Sequence, residues 1–187
     1  MTNQRAEREV MNNYVRLASS LQPDSVVDGP GIRCVVWAQG CSHNCIGCHN
    51  PQTHDFNSGK IVDIAKVCNE IQRIDQNITL SGGDPFFQPE EFAIIAKYAK
   101  SIGLNVWAYT GFTFEFLIKN KHCSELLSNV DVLVDGKFDI NKKSSECKFR
   151  GSTNQRLIDV QKSLVNKTVV LWTDDFDALQ KNTSIYF

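Results

Sequence analysis

The sequence contains two informative stretches separated by three residues: Ile32-Arg33-Cys34-Val35-Val36-Trp37 and Cys41-Ser42-His43-Asn44-Cys45-Ile46-Gly47-Cys48. The first stretch is rich in β-branched and aromatic residues, which predicts a strand. The second is a short loop with the spacing C-x3-C-x2-C. Cubane iron–sulfur clusters are usually held by four cysteine thiolates. A loop that offers only three leaves one iron free to bind a substrate or cofactor, which favours a cluster used for chemistry.

Two other sites fit the same cysteines. One is a structural zinc site in which His43 or His49 is the fourth ligand, since Cys3His sites are common. The other is a closed cluster whose fourth ligand is Cys34 or another remote cysteine. A zinc site would not explain the glycine-rich turn that follows the next predicted strand.

Strands and helices alternate along the rest of the chain at intervals suited to βαβ units. Apolar spacing predicts helices over 61–74 and 89–102, and residues 114–127 are mostly helical in character. The chain up to about Ala18 is expected to be a short helix or a loose arm. Further strands are predicted at Ile78–Leu80, Leu104–Tyr109, Val130–Val134 and Thr168–Trp172. The predicted fold is α/β, with a mostly parallel sheet that can curve into part of a barrel.

The unusual residues lie where predicted strands end. Beside the cysteine loop, these are Ser81-Gly82-Gly83-Asp84-Pro85, Thr110-Gly111 and Asp135-Gly136-Lys137. In parallel α/β sheets the carboxyl ends of the strands form the ligand face, so four stretches are expected to meet at one site. The alternatives are an ordinary βα turn in which Asp84 caps a helix, and a solvated turn for Asp135 and Lys137.

Composition narrows the class of protein. The chain has 187 residues, seven cysteines and a formal net charge of -1, which fits one compact domain over 1–187. A nearly neutral chain is not expected to bind nucleic acid through bulk electrostatics. The sequence has no apolar run long enough to span a membrane and no signal-peptide core, which predicts a cytoplasmic protein with reduced thiols.

Several ordered motifs carry a resemblance. The cysteine loop followed by Gly82-Gly83-Asp84-Pro85 resembles the radical S-adenosylmethionine superfamily. Residues 27–33 (Val-Asp-Gly-Pro-Gly-Ile-Arg) and 48–51 (Cys-His-Asn-Pro) resemble activating enzymes of glycyl radical enzymes. Residues 107–112, 132–138 and 149–156 are similar to the activating proteins of anaerobic (class III) ribonucleoside-triphosphate reductases. The match spans about 13–164, with an extension of unassigned role over 165–187.

The resemblance implies a partial (β/α) barrel that holds a [4Fe–4S] cluster on Cys41, Cys45 and Cys48. S-adenosylmethionine would chelate the fourth iron, with its amino group held at Gly82, Gly83 and Asp84. Asp135 and Lys137 resemble an element that contacts the methionine end of the cofactor. Asn154 and Arg156 are further candidates for contact with the cofactor or the partner. Two positions depart from the wider superfamily, where an aromatic residue often precedes the third cysteine and Glu often follows the paired glycines; here they are Gly47 and Asp84.

The implied activity is one-electron cleavage of S-adenosylmethionine to a 5′-deoxyadenosyl radical, which takes a Cα hydrogen from a glycine of the reductase. A flavodoxin or ferredoxin-type protein would supply the electron. Three alternative functions are an activase of a pyruvate formate-lyase type enzyme, a radical enzyme such as a deazapurine synthase, and a zinc-stabilised binding module. Cys34 and Cys68 are expected to be buried, whereas Cys123 and Cys147 are candidates for exposed thiols that nothing in the sequence pairs.

Overall fold

The computed structural model describes residues 13–173, which form one eight-stranded sheet with helices. The strands are β1 (Tyr14–Leu17), β2 (Gln22–Ser25), β3 (Arg33–Ala38), β4 (Lys60–Asp63), β5 (Asn77–Gly82), β6 (Val106–Tyr109), β7 (Val132–Asp135) and β8 (Arg156–Asp159). The α-helices are α1 (Ile64–Ile74), α2 (Pro89–Ser101), α3 (Phe114–Leu117), α4 (Ser124–Ser128) and α5 (Val160–Asn166). Single 3-10 turns cover Pro51–Thr53, Pro85–Phe87 and Ile140–Lys142.

The sheet is parallel at its centre and antiparallel at its flanks. Its order is β4-β1-β3-β5-β6-β7-β8, with β2 also paired to β3. Strands β3, β5, β6 and β7 run parallel, whereas β1, β2, β4 and β8 each pair antiparallel with a neighbour. The predicted α/β class with a mostly parallel centre is confirmed, and the antiparallel strands are additions that the sequence pattern did not indicate.

The two long helices lie where apolar spacing predicts them, although residues 61–63 of the first predicted helix belong to strand β4 and the second helix ends at Ser101. Helix α1 buries Ile64, Val67, Cys68 and Ile71 on one face, and the Asp63 side chain accepts a hydrogen bond from the Ala65 N–H at its start. Helix α2 begins at Pro89, whose missing N–H costs nothing at a helix start. Gly103 follows its end with a positive φ of 85°, as expected for a helix C-terminus.

Three predicted elements are wrong. The segment up to Ala18 contains strand β1, although residues 1–12 lie outside the described part. The segment 114–127 forms two short helices, α3 and α4, rather than one. Residues 168–172 do not form a regular strand. Leu171 makes one isolated bridge to Ile158, with one backbone hydrogen bond on each side: the Asp159 N–H donates to the Val170 carbonyl, and the Trp172 N–H donates to the Leu157 carbonyl.

The two faces of the sheet are covered differently: one packs against the helices, and the other is covered by a small group of aromatic side chains. Alternate residues of β6 lie on opposite faces, so Val106 and Ala108 join the main core with the helices. Trp107 joins a smaller cluster with Val132 and Val134, covered by Phe149 and Trp172 rather than by a helix. The face that lacks helices is therefore the one with room for a cavity.

Candidate functional site

A cavity of about 710 Å³ lies at the carboxyl ends of the parallel strands. Its volume is in the range usual for small-ligand sites. Side chains from the ends of three strands line it: Trp37 of β3, Ser81 of β5 and Tyr109 of β6. The residues that line it at the predicted motifs are Cys41, Cys45, Cys48, Gly82, Gly83, Thr110, Gly111 and Gly136. The predicted meeting of four strand-end stretches is therefore observed.

The cysteine loop is held by its own backbone. Cys41 is 8% exposed, and its N–H donates to the His54 carbonyl at 3.0 Å. The Cys48 N–H donates to the Cys45 carbonyl at 3.1 Å, and the Cys48 sulfur accepts from the Asn50 N–H at 3.4 Å. Cys45 and Cys48 are half-buried. All three sulfurs therefore lie on one short, bonded loop that borders the cavity.

Burial governs the protonation of two of these thiols. It raises the pKa of Cys41 to about 11, although the His43 backbone N–H opposes this shift. Burial also raises the pKa of Cys45, against a backbone hydrogen bond at Phe138 and the positive charge of Lys137. Without iron both groups are neutral thiols at pH 7, so cluster binding has to release protons.

Within residues 13–173, no three His, Cys, Asp or Glu side chains are grouped so that they could hold one metal ion. A cubane cluster does not require such a grouping, because each thiolate binds a different iron.

The glycine turn is bonded to the segment just before the cysteines. Strand register sets Ala38 beside Gly82, and the Gly83 N–H donates to the Ala38 carbonyl at 2.8 Å. Gly82 has a positive φ of 104°, which side-chain-bearing residues rarely adopt. A Cβ on Gly83 would lie 2.4 Å from the Gly40 carbonyl oxygen and 2.8 Å from that of Thr53. Glycine is required at both positions so that the turn can lie against this backbone.

Asp84 is placed behind the cavity wall rather than in it. Its side chain is 1% exposed, and it caps the turn Pro85–Phe87 by accepting from the Phe86 N–H at 2.9 Å. The other carboxylate oxygen accepts from Thr110, Gly111 and the His43 ring. The predicted contact between this side chain and a cofactor stays a prediction, and the capping alternative accounts for the observed position.

Asp135 and Lys137 have different surroundings. Asp135 is 1% exposed and accepts hydrogen bonds from Arg156 and from the Phe114 N–H. Lys137 is exposed, and its amine is 3.5 Å from the His43 carbonyl. Between them, the Gly136 residue lines the cavity. The solvated-turn alternative is therefore wrong for Asp135, which is buried and ion-paired.

Two further candidates support this region from behind. The Arg156 guanidinium joins Asp135 to Glu115, with bonds of 2.9 and 2.8 Å to the Glu115 oxygens. The Asn154 amide donates to the Lys137 carbonyl at 2.8 Å. Neither residue lines the cavity, but Gln155 between them does. Its side chain accepts from the Gly151 N–H at 2.8 Å, which closes that loop over the site.

The remaining cysteines lie outside the cavity lining. Cys34 and Cys68 are buried in the core as predicted. Cys123 is 2% exposed, so it is not an exposed thiol: it packs in the same core beside α4. Cys147 is half-buried.

Sequence reasoning missed several lining residues. Trp37 and Tyr109 are each the last residue of a predicted strand, so their position beside a motif was a usable signal. The Tyr109 hydroxyl donates to the Phe149 carbonyl at 2.7 Å, and burial raises the pKa of this phenol. Phe138 and Gln155 come from loops whose path across the cavity no periodicity could indicate.

Comparison with known proteins agrees with the resemblance carried by the sequence motifs. Residues 27–158 match the family model described as a 4Fe-4S single cluster domain. An anaerobic ribonucleoside-triphosphate reductase-activating protein of Pasteurella multocida is 32% identical over 154 residues, covering 76% of this chain and 94% of that one. The Escherichia coli K12 protein of the same name is 37% identical over 144 residues, covering 71% and 92%. That of Enterobacteria phage T4 is 33% identical over 153 residues, covering 78% and 92%.

This chain belongs to the family of anaerobic ribonucleoside-triphosphate reductase-activating proteins. Its domain of the 4Fe-4S single cluster type includes the whole cysteine loop, and the cofactor is a [4Fe–4S] cluster. The residues present fit that group, since three thiols on one loop border a cavity with room for it.

A solved structure and the helix lengths complete the comparison. The crystal structure of QueE from Escherichia coli aligns with a TM-score of 0.45 and 10% identity, covering 72% of this chain and 74% of that one. Among residues 13–173, none of the helices has the length and apolar character needed to cross a membrane.

Proposed function

We propose that this chain forms a glycyl radical on an anaerobic ribonucleoside-triphosphate reductase by reductive cleavage of S-adenosylmethionine at its [4Fe–4S] cluster. The observation that carries the proposal is the single cavity bordered by Cys41, Cys45, Cys48 and the Gly82-Gly83 turn. The names of the relatives supply the partner. The proposed domain is one radical S-adenosylmethionine domain over 1–187, with a core of about 13–164 in which the sheet curves as a partial barrel.

The chain's own residues divide the work at this cavity. Cys41, Cys45 and Cys48 would hold the cluster. When bound, the cluster supplies an open iron for the amine and carboxylate of S-adenosylmethionine, and the electron that cleaves it. The Gly82 and Gly83 backbone would orient the methionine end, because glycines allow a ligand to approach peptide groups closely. Asp84 caps the turn that follows these glycines, and Lys137 is the proposed cation for the carboxylate end.

The partner and the electron donor follow from the chemistry required. A carbon radical has to be kept from water until it meets its target hydrogen, which is a general use of a closed site. Trp37, Tyr109 and Phe138 supply apolar surface around the cavity. The remaining opening would be covered by the glycine-bearing segment of the reductase. A flavodoxin or ferredoxin-type protein is the proposed donor of the electron.

The test is an anaerobic turnover assay on reconstituted protein. S-adenosylmethionine and a strong reductant are added, and 5′-deoxyadenosine and methionine are quantified by mass spectrometry with and without a candidate reductase. We expect both products. When the reductase is present, we also expect a glycyl radical signal in electron paramagnetic resonance that is located on the reductase chain. A protein that holds its cluster but yields no 5′-deoxyadenosine would refute the proposal.

A matched pair of cysteine variants controls the assay. Cys45→Ala removes a residue of the cavity, whereas Cys147→Ala removes a half-buried thiol outside its lining. Only the first is expected to lose product formation. Replacement of the reductase by a pyruvate formate-lyase type enzyme tests the alternative partner, and a radical on that enzyme alone would overturn the assignment of partner.

A further inference from the structure

The side chain of His43, in the middle of the cysteine loop, is nearly buried and contacts residues from other segments. It lies between Cys41 and Cys45, yet its side chain is only 8% exposed. Its ring nitrogen Nε2 is 2.8 Å from an Asp84 carboxylate oxygen. Its backbone N–H stabilises the Cys41 thiolate, and its carbonyl faces the Lys137 amine at 3.5 Å. His43 thus connects the cysteine loop to two other parts of the site, Asp84 and Lys137.

The Asp84 carboxylate joins three chain segments. One oxygen accepts from the Thr110 hydroxyl at 2.8 Å and from the Gly111 N–H at 2.9 Å, beside the His43 ring. The other accepts from Phe86 of its own turn. An ionised carboxylate only accepts hydrogen bonds, so it suits a position surrounded by donors. The His43 ring must then present Nε2–H, which leaves it a donor to Asp84.

Packing leaves the His43 ring a single position. It lies edge-on to Phe112, with centroids 4.5 Å apart, and 5.4 Å from the Phe87 ring. On its remaining side is Gly111, where an added Cβ would lie only 2.4 Å from the His43 ring. The absence of a side chain at Gly111 is therefore what makes room for the ring.

We propose that His43 and Asp84 form a positioning pair that fixes the cysteine loop against the Gly82-Gly83 turn, and so aligns cluster and S-adenosylmethionine. The inference about S-adenosylmethionine rests on the proposed function. Neither side chain is a cluster ligand: the pair acts through Cys41 and through the glycine turn. Hydrogen-bonding partners one step behind metal ligands typically change metal affinity or activity by about 10–100-fold when removed.

The experiment compares anaerobically reconstituted holoprotein variants. His43→Phe keeps the ring packing but removes the donor, and His43→Gln restores an N–H at a similar reach. His122→Phe is the matched control, because the exposed His122 ring also lies within hydrogen-bonding distance of a carboxylate, 3.0 Å from Glu90, but far from the cysteine loop in sequence. The first readout is the rate of iron loss to a chelator. The second is the S-adenosylmethionine concentration that half-converts the electron paramagnetic resonance spectrum of the reduced cluster.

We expect His43→Phe to lose iron at least about tenfold faster than wild type and to need about tenfold more S-adenosylmethionine. His43→Gln and His122→Phe should stay close to wild type in both readouts. The proposal is overturned if His43→Phe behaves as wild type does. It is equally overturned if His43→Gln is as impaired as His43→Phe, since the hydrogen bond would then be irrelevant.

A second variant covers the case in which His43→Phe takes up no cluster. Gly111→Ala retains both members of the pair but moves the ring, and it should accelerate iron loss; a rate equal to wild type contradicts the pair. The two proposals fail in different ways. A wild-type spectrum that does not respond to S-adenosylmethionine refutes the proposed function, whereas iron loss still decides the role of the pair.

Discussion

Replacing Arg33 by methionine should destabilise the fold, because this side chain is 1% exposed and its guanidinium donates hydrogen bonds to buried acceptors. Its Nε donates to the Thr79 hydroxyl at 2.7 Å, and its Nη2 donates to the Ile78 carbonyl at 2.5 Å. The charge also lies 5.4 Å from the centroid of the Trp107 ring. Methionine has a similar length and fills the space, but it offers no donor and no charge.

The expected loss is the balance of several effects. Hydrogen bonds to charged groups contribute about 1.5–3 kcal/mol each, and the two short bonds together give about 3–6 kcal/mol. A desolvated cation–π contact adds about 1–2 kcal/mol. Burial of the charge opposes these gains, as seen in the pKa of Arg33, which burial lowers to about 10. Removing the charge relieves that cost, so we expect a net loss of about 3 kcal/mol.

Differential scanning calorimetry on anaerobic holoprotein would measure the effect. For a chain of this size about 3 kcal/mol corresponds to a fall in Tm of about 6–12 °C. The control is Arg73→Met, which removes an exposed arginine paired with Glu70 on α1 and should leave Tm unchanged. A Tm for Arg33→Met equal to wild type, or equal falls in both variants, would refute the reasoning.

Three other changes have defined outcomes. Cys45→Ala should abolish cluster and activity together, so brown protein that still turns over would rule out Cys45 as a ligand. Gly83→Ala should reduce iron incorporation, measured as iron per chain, because its Cβ would meet the Gly40 carbonyl at 2.4 Å; full loading would disprove this. The Arg156 guanidinium lowers the pKa of Glu115 from 4.5 to about 2. The ion pair between Glu115 and Arg156 therefore stabilises the fold above pH 4.5, and this contribution is lost as the pH falls to about 2. In cluster-free protein, the Tm of Glu115→Gln should fall less steeply across that window than the Tm of wild type. An identical slope would exclude the linkage.

The elements that sequence predicted well are those with a strong local signal. Helix α1 has apolar residues at regular helical spacing and an aspartate cap, and α2 has Pro89 at its start. The parallel strands are short, buried, β-branched runs. One flanking strand lacks such a signal: β2 is Gln22-Pro23-Asp24-Ser25, a sequence of low β propensity that pairs along the edge of β3.

The site was predictable as a set of motifs but not as a set of contacts. Which strand ends meet follows from parallel topology, and this was enough to bring the cysteines and glycines together. The direction of each side chain does not follow. Asp84 and Asp135 both turn away from the cavity toward donors that lie 26 and 21 residues further along the chain. No local pattern indicates such a partner.

The pairing of β3 with β5 also implies an order of assembly. The segment that leads into the cysteine loop is anchored at the Ala38 and Gly40 carbonyls, which accept from the N–H groups of Gly83 and Asp84, 45 and 44 residues later. Until β5 has added to the sheet, these carbonyls lack those donors, and the start of the loop is held only by its hydrogen bonds to Thr53 and His54. Iron and sulfide should therefore enter a chain whose sheet has already formed. A protein that delivers the cluster would then bind a folded surface on which three thiols border one cavity.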